Sequence, residues 1–428
     1  MGVPRQRAVP RVLPPPGLAP GRCDARPGGV RRARGAADPR AGGSVNTLLP
    51  PVRRLVDQLP PDTRPPGTAL ALHAPGLVVE VASGTRSPDG APMTTATHHD
   101  LASVTKVVAT TTALIRLVSD RLVDLDEPVR RLVPAFAGGP KDAVSVRDLL
   151  LHRGGLWEWW PLYAATGGGR DAALRYAAEL PLRYPPGRER HYSDLGFMLL
   201  GQVVEAAARQ PLAAAVADLV TRPLGLSATR YGRPAGAEVA TSARGDDVEL
   251  AMVDTGTPYP VPFRAADFGG WRRTPVTGEP NDGNAHHALG GVSGHAGLFA
   301  PLGDLVGFAT ALADYAEHDR LWRPEVAEEF FAPGPDAGQS LGFRRYELTV
   351  GAERVTLLGH PGFTGCAVGF VPGRGIGLAL ASCRLLAPGR PVPTEELWAR
   401  ARATAGDALG SASPHPAPPR AARATRNR

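Results

Sequence analysis

The chemistry-bearing residues with the most suggestive spacing are Ser103 and Lys106, at the start of D-L-A-S-V-T-K-V-V-A-T-T-T-A-L-I-R-L-V-S, residues 100–119. On a helix, side chains three apart share a face, so this spacing sets an ammonium beside a hydroxyl. A helix N-terminus carries a partial positive charge, which favours a deprotonated hydroxyl and a developing oxyanion. No charge separates Lys106 from Arg116, so a central buried helix is expected, with Asp100 as its cap. The chain has only two lysines, Lys106 and Lys141, against 46 arginines. Burial can lower an ammonium pKa and free the amine for proton transfer, which a guanidinium does not allow. The plainer alternative is a small serine at a helix start and a lysine that reaches out to solvent.

Two further constellations suit the same chemistry. Tyr192-Ser193-Asp194 lies in R-H-Y-S-D-L-G-F-M-L-L-G, in the turn before a predicted helix from Leu195 to Ala208. A tyrosine beside a cation can serve as general base or acid, while Asp194 would otherwise simply cap the helix. His360-Pro361-Gly362-Phe363 follows a predicted strand. Proline there implies an edge strand and glycine permits close backbone approach, so a backbone N–H can face an oxyanion. The aromatic cluster Trp157, Trp159, Trp160 and Tyr163 is either core or the wall of a substrate pocket.

Three other patterns fail on context. Gly338-Gln339-Ser340-Leu341-Gly342 fits the G-x-S-x-G elbow, which needs a strand before and a helix after, whereas a Pro/Gly loop precedes it and a strand follows. Asp254-Thr255-Gly256-Thr257 resembles half of an aspartic-protease pair but has no second copy, and reads as a turn. His286, His287 and His295 lack the spacing of a zinc site.

The elements that must position these residues divide the chain in three. Residues 1–50 are rich in Arg, Pro and Gly without periodicity and are expected to be disordered, with a translation start near Val45 as one explanation. Residues 51–405 carry the periodic segments, and 406–428 are expected to form a disordered basic tail. A short helix at Val52, Leu55, Val56 and Leu59 and a hairpin of residues 68–73 and 77–82 come first. Helices dominate from Asp120 to Arg230, with Ser145 and Asp171 as caps. Residues 233–285 read as a long surface excursion. Helices at 302–316 and 324–331, strands near 343–349, 353–358, 364–371 and 376–382, and a last helix at 394–405 complete the chain. This order gives an α/β fold: an antiparallel sheet built from both ends, flanked by N- and C-terminal helices, with an all-helical subdomain inserted and the cleft between the two parts.

Composition removes several function classes. The net charge of +7 is concentrated at the ends, where residues 1–50 hold nine arginines against Asp24 and Asp38, so the periodic part is net acidic and a nucleic-acid partner is not expected. Cys23, Cys366 and Cys383 form neither a metal cluster nor a disulfide framework. No apolar run is long enough for a membrane span and the N-terminus lacks a signal-peptide pattern, which makes a cytoplasmic location the expectation.

Taken together and in this order, Ser103-x-x-Lys106, Tyr192-Ser193-Asp194 and His360-Pro361-Gly362 resemble the three boxes of the serine β-lactamase and penicillin-binding-protein superfamily. The likeness is to the branch of class C β-lactamases, D-aminopeptidases, D-Ala-D-Ala carboxypeptidases and esterases. The stretches V-R-D-L-L-L-H-R-G-G-L, R-P-L-G-L and L-G-G-V-S-G-H-A-G-L-F-A share it. The resemblance implies an α/β sandwich with a helical subdomain, Ser103 as nucleophile, Lys106 assisting and Tyr192 as general base. It implies an oxyanion hole from the backbone N–H groups of Ser103 and Phe363, with Asp194, His360 and Gly362 lining the substrate side. Asp194 stands where many members have Asn, which leaves open whether Lys106 or Tyr192 takes the proton. His360 stands where β-lactamases have Lys, as in esterase-type members, so carboxylate-free esters are the expected substrates. The expectation is a metal-free, cofactor-free serine hydrolase on a small ester or amide. The alternatives are a β-lactamase or D-amino-acid peptidase, and a catalytically silent binding module on the same fold.

Overall fold

The protein is described here by a computed structural model covering residues 55–412, all within one compact unit. The first strands are β1 (Gly67–Ala74), β2 (Leu77–Gly84), β3 (His98–Asp100), β4 (Arg230–Tyr231), β5 (Thr241–Ala243) and β6 (Val276–Thr277). The later ones are β7 (Leu298–Pro301), β8 (Arg344–Val350), β9 (Glu353–Pro361), β10 (Ala367–Val371) and β11 (Ile376–Ser382). Six of them form the main sheet in the order β2-β1-β11-β10-β9-β8, with every neighbouring pair antiparallel. A small sheet β3-β7-β4 carries the chain into the site.

Alternation along β1 explains how the sheet is covered. Ala69 and Ala71 point to one core and Leu70 and Leu72 to the other. The small residues sit on the side of helix Leu302–Ala313, which packs close to the sheet. The leucines meet Leu55 and Leu59 together with Leu397, Trp398 and Ala401 of the last helix. Each such leucine contributes about 1.5–3 kcal/mol on burial. The expected sheet with terminal helices on one face is therefore present, and helices Val146–Leu150, Leu162–Thr166, Arg170–Glu179, Asp194–Ala208 and Leu212–Val216 form the helical insertion.

Several expectations are corrected. The last helix runs Thr394–Ala412, so residues 406–412 belong to it rather than to a tail, and its Leu409 is buried in the outer core. Residues 233–285 are not a bare excursion: they contain helix Asp247–Thr255 and the pair β5-β6. The D-T-G-T sequence is the end of that helix, closed by Gly256 in the left-handed conformation. Asp171 is not a cap, since Gly169 precedes the first turn of its helix and Asp171 lies within it. Ser145 does cap, in a reciprocal capping box with Asp148. Cys366 and Cys383 are free, buried thiols. The expectations for residues 1–54 and 413–428, including the start near Val45 and the place of Cys23, lie outside the described residues. No helix among the described residues is long and apolar enough to cross a membrane.

Candidate active site

The segment that opens at Ser103 is not one regular helix. A 3-10 turn, Ala102–Val104, leads into a π-helical stretch, Lys106–Thr111, and only Thr112–Ser119 is α-helical. The wide turn is supported by the Thr112 hydroxyl, which donates to the Val107 carbonyl at 2.7 Å. Ala102, just before the serine, has φ +44°, a left-handed conformation that costs an alanine about 1–2 kcal/mol. Asp100 holds it there. Its Oδ1 accepts the Ala102 N–H at 2.9 Å, its Oδ2 accepts the Asn281 N–H at 2.6 Å, and its carbonyl accepts the Thr364 hydroxyl at 2.7 Å. Asp100 is thus a three-way tie rather than the helix cap expected. Burial pushes its carboxyl up to about 6.

Lys106 is fully buried, and its Nζ meets three acceptors: Ser103 Oγ at 2.9 Å, Asp194 Oδ1 at 2.7 Å and the His295 carbonyl at 3.3 Å. Burial alone would lower its pKa, but the Asp194 carboxylate and the neighbouring Tyr192 outweigh that and raise it above the ordinary lysine value. The expectation of a depressed lysine is therefore overturned: it stays an ammonium. Asp194 is free to pair because it does not cap its helix. Ser193 does so instead, accepting the Gly196 N–H at 3.1 Å and donating to the Trp157 carbonyl at 2.6 Å.

Tyr192 is held between two imidazoles. The His152 ring lies 4.6 Å from it, and the His360 ring is stacked at 5.8 Å. Burial first, then nearby cations, hold both histidines well below the ordinary value, so both are neutral. Lys106 Nζ lies 5.0 Å and the Arg344 guanidinium 5.4 Å from the tyrosine ring. His360 is only 2% exposed and its Nδ1 bonds the Pro361 carbonyl at 2.7 Å, so its ring backs the tyrosine and presents no cation to the cleft. Gly362 lies against the turn that carries Ser103: a Cβ there would meet the Leu101 carbonyl at 2.4 Å. That approach brings exposed Phe363 to the mouth of the site, with the Arg384 guanidinium 5.1 Å from its ring.

A second layer was not visible in the sequence. Gly294 packs on the Asp194–Ala208 helix so closely that a Cβ would lie 2.2 Å from the Phe197 carbonyl, and this fixes the His295 carbonyl over Lys106. His295 bonds Asp282 at 3.0 Å and Ser293 at 2.7 Å. Asp246 takes Arg272 and His287, which drives its carboxyl below the usual range against the effect of burial. Asp194, Asp282 and His295 bring metal-type donor atoms within 4.8 Å of one another. Their atoms are already engaged by the lysine ammonium and by each other, so the ammonium stands where a cation would sit.

Of the residues singled out by pattern, Ser103, Lys106, Tyr192, Asp194, His360, Gly362 and Phe363 converge. Ser340 does not: it is fully buried and donates to the Phe331 and Ala332 carbonyls. His287 bonds Asp246, His286 lies near Glu279, and the two rings meet each other; neither joins the donor group that contains His295. Trp159, Trp160 and Tyr163 are buried core, whereas Trp157 is partly exposed. His152 was missed as a partner of Tyr192, although L-L-L-H-R-G-G-L contains it.

The family model described as Beta-lactamase matches residues 52–402. The chain is 31% identical over 317 residues to "N-acetylmuramyl-L-alanine amidase" of Bacillus subtilis (strain 168), covering 68% of each protein. It is 31% identical over 293 residues to "Putative D-alanyl-D-alanine carboxypeptidase" of Escherichia coli (strain K12), covering 64% of this chain and 65% of that one. Among solved structures, that of SurE with D-Leu superposes with a TM-score of 0.60 at 25% identity, over 85% of this chain and 75% of that one. "EstCE1, a hydrolase with promiscuous acyltransferase activity" shares the fold, with a TM-score of 0.61 at 21% identity over 85% and 99% of the two chains.

Proposed function

Because the chain belongs to the Beta-lactamase family, we propose that it is a serine hydrolase that forms an acyl-enzyme on Ser103 from a small ester or amide. The observation that carries this reading is the Lys106 ammonium, 2.9 Å from Ser103 Oγ and 2.7 Å from Asp194. An ammonium kept charged by a carboxylate donates a hydrogen bond and does not accept a proton, so it stabilises the serine oxygen as its proton leaves. Tyr192, as the general base, takes that proton. Ser103 Oγ bonds to the substrate carbonyl carbon, whose oxygen turns to the N–H groups of Ser103 and Phe363. Tyr192 then passes the proton to the departing alcohol or amine. In the second half, water gives a proton to Tyr192 and its oxygen to the acyl carbon, and Ser103 recovers its proton as the acid leaves.

The site is esterase-type in one respect: His360 is buried and neutral and brings no charge to the substrate. The names of the relatives favour a second reading, cleavage of a peptide that carries a D-amino acid or of a muramyl amide. A panel of p-nitrophenyl esters, β-lactams and D-Ala peptides separates the two. The reading itself is tested with a fluorophosphonate probe, which should label Ser103 in the intact protein and leave Ser103→Ala unlabelled and inactive. An unlabelled wild type that turns over nothing in the panel would make the protein a silent binding module.

A further inference from the structure

Lys106 meets its third acceptor through a stretch of backbone that has little stiffness of its own. The His295 carbonyl lies 3.3 Å from Nζ, and the residue sits between Gly294 and Ala296-Gly297, with Gly297 at φ +112°, a conformation open to glycine. The Thr110 hydroxyl ties the preceding carbonyl, that of Gly294, at 2.7 Å. The next peptide is aimed by the His295 ring, which is 1% exposed and bonded at both nitrogens: Nδ1 to Ser293 Oγ at 2.7 Å and Nε2 to Asp282 Oδ1 at 3.0 Å. Burial alone would raise the Asp282 carboxyl, but the His295 ring, the Ala285 N–H and the Lys106 charge outweigh it and hold it below its ordinary value. An ionised carboxylate only accepts, so Nε2 carries the proton of that bond. Asp282 itself is firmly placed. Its Oδ1 also accepts the Ala285 N–H at 2.7 Å, the next residue gives its N–H to Glu249 Oε2 at 2.9 Å, and the Asn284 side chain bonds the Trp160 carbonyl at 2.9 Å and the Leu162 N–H at 2.8 Å. On the other side, Asn281 gives its N–H to Asp100 Oδ2 at 2.6 Å, the carboxylate that holds the strained Ala102 turn. One short segment, residues 281–284, thus reaches Ser103 through Asp100 and Lys106 through His295.

Resting on the serine-hydrolase reading, we propose that Asp282 and His295 are positioning residues for that reaction: the carboxylate holds the imidazole, and the imidazole aims the carbonyl that keeps the Lys106 ammonium against Ser103 Oγ. Both act through Lys106. An ammonium left with two acceptors is free to swing toward Asp194 and away from the serine, and a misplacement of about 1 Å in such a group costs on the order of a hundred-fold in rate.

The chain has two lysines, which makes the test direct. Protein labelled isotopically at lysine Nζ gives two ammonium signals by NMR, and Lys141, buried and donating to the Ala178 carbonyl at 2.6 Å, is the internal control. In His295→Ala and in Asp282→Ala the Lys106 ammonium protons should exchange with water roughly ten-fold faster or more, the loss of one charge-assisted hydrogen bond, while those of Lys141 keep their rate. In the same variants kcat for a p-nitrophenyl ester should fall by roughly ten-fold or more with KM within about three-fold. Asp282→Asn, whose amide oxygen still accepts from Nε2, should recover most of both. Where an alanine variant melts before it can be measured, Ser293→Ala frees Nδ1 alone and should still speed Lys106 exchange relative to Lys141. Lys106 exchange that stays at the wild-type rate, or rises only together with that of Lys141, overturns the proposal, and so does an unchanged kcat in a folded, active variant. Faster Lys106 exchange in a protein whose Ser103 is never labelled and which turns over nothing would instead leave the tether standing and remove the hydrolase reading.

Discussion

Lys106 and Asp194 form a buried ion pair, Nζ to Oδ1 at 2.7 Å, in which the lysine has no solvent exposure and the carboxylate little. The same Nζ reaches the Ser103 oxygen at 2.9 Å, so the pair fixes both the position and the charge of the group next to that hydroxyl. In the sequence, Asp194 looked like a deviation from Asn; in the structure it keeps the lysine charged.

Removing the carboxylate exposes the cost of the buried charge. Breaking such a pair by deleting one partner costs about 3–5 kcal/mol, so Asp194→Ala should lower the melting temperature by several degrees. Asp194→Asn should also move the alkaline limb of kcat to lower pH. With the carboxylate gone, burial dominates and Lys106 loses its proton sooner as pH rises. An unchanged pH profile in a folded Asp194→Asn protein would show that the ammonium is not needed.

Tyr192→Phe tests the proton acceptor. Loss of a positioned general base is worth about 10²–10⁴ in rate, and the phenyl ring keeps its packing between His152 and His360. We expect kcat to fall by that amount with KM within a few-fold and the melting temperature nearly unchanged. Near-normal kcat would move the proton to another group.

His360 should not act as a pH switch. It is held well below the ordinary histidine value by burial and by the Arg344 and Lys106 charges, so it stays neutral between about pH 6 and 8. The ratio of kcat/KM for a p-nitrophenyl ester to that for a chromogenic cephalosporin should therefore show no step from this residue across that range. His360→Lys should unfold at lower temperature, because it buries a cation with no carboxylate to meet it. A ten-fold change in the ratio between the two pH values would show that the ring is protonated after all.

The strained turn makes its own prediction. Ala102→Gly removes a left-handed alanine, so stability should hold or rise by about 1 kcal/mol, where the same change in a regular helix loses about that much. Thermal melts of this variant beside Ala113→Gly, in helix Thr112–Ser119, read the contrast directly. A loss at Ala102 as large as at Ala113 would mean that the turn carries no strain.

Asp100 sets a pH window. Its folded value of about 6 lies above the ordinary 3.8, so as pH falls through about 6 the folded chain binds a proton that the unfolded chain takes only near 3.8. The Asp100 contribution to stability thus improves between about pH 6 and 4 and is at its least favourable above 6. Asp100→Asn should erase that slope in melting temperature against pH. A slope that survives belongs to another group.

The three boxes and the order of elements were legible because they depend on local signals: the spacing of Ser103 and Lys106, the period-two runs of β1, β9 and β11, and the capping residue Ser145. The charge state of Lys106 was not, because burial and Asp194 act in opposite directions and only geometry decides between them. The bonds that hold the Ser103 turn were hidden for a different reason. Asp100 meets Asn281 and Thr364 across separations that no periodicity records, and Arg344 approaches Tyr192 from an edge strand. The π-helical turn also leaves no mark in the apolar pattern, since both windings bury residues 107–111.

The pairing of β1 with β11 joins residues 68–73 to 377–382 at the middle of the main sheet. During synthesis the front hairpin must wait until residues 377–382 are made before β1 gains its second partner, and the Thr364 and Gly362 contacts that shape the serine turn arrive nearly as late. A nascent chain therefore carries Ser103 for most of its elongation without a turn to arm it. On the proposed reading, acyl transfer becomes a property of finished molecules, and a product stalled before β10 should be inert however well its helical insertion has folded.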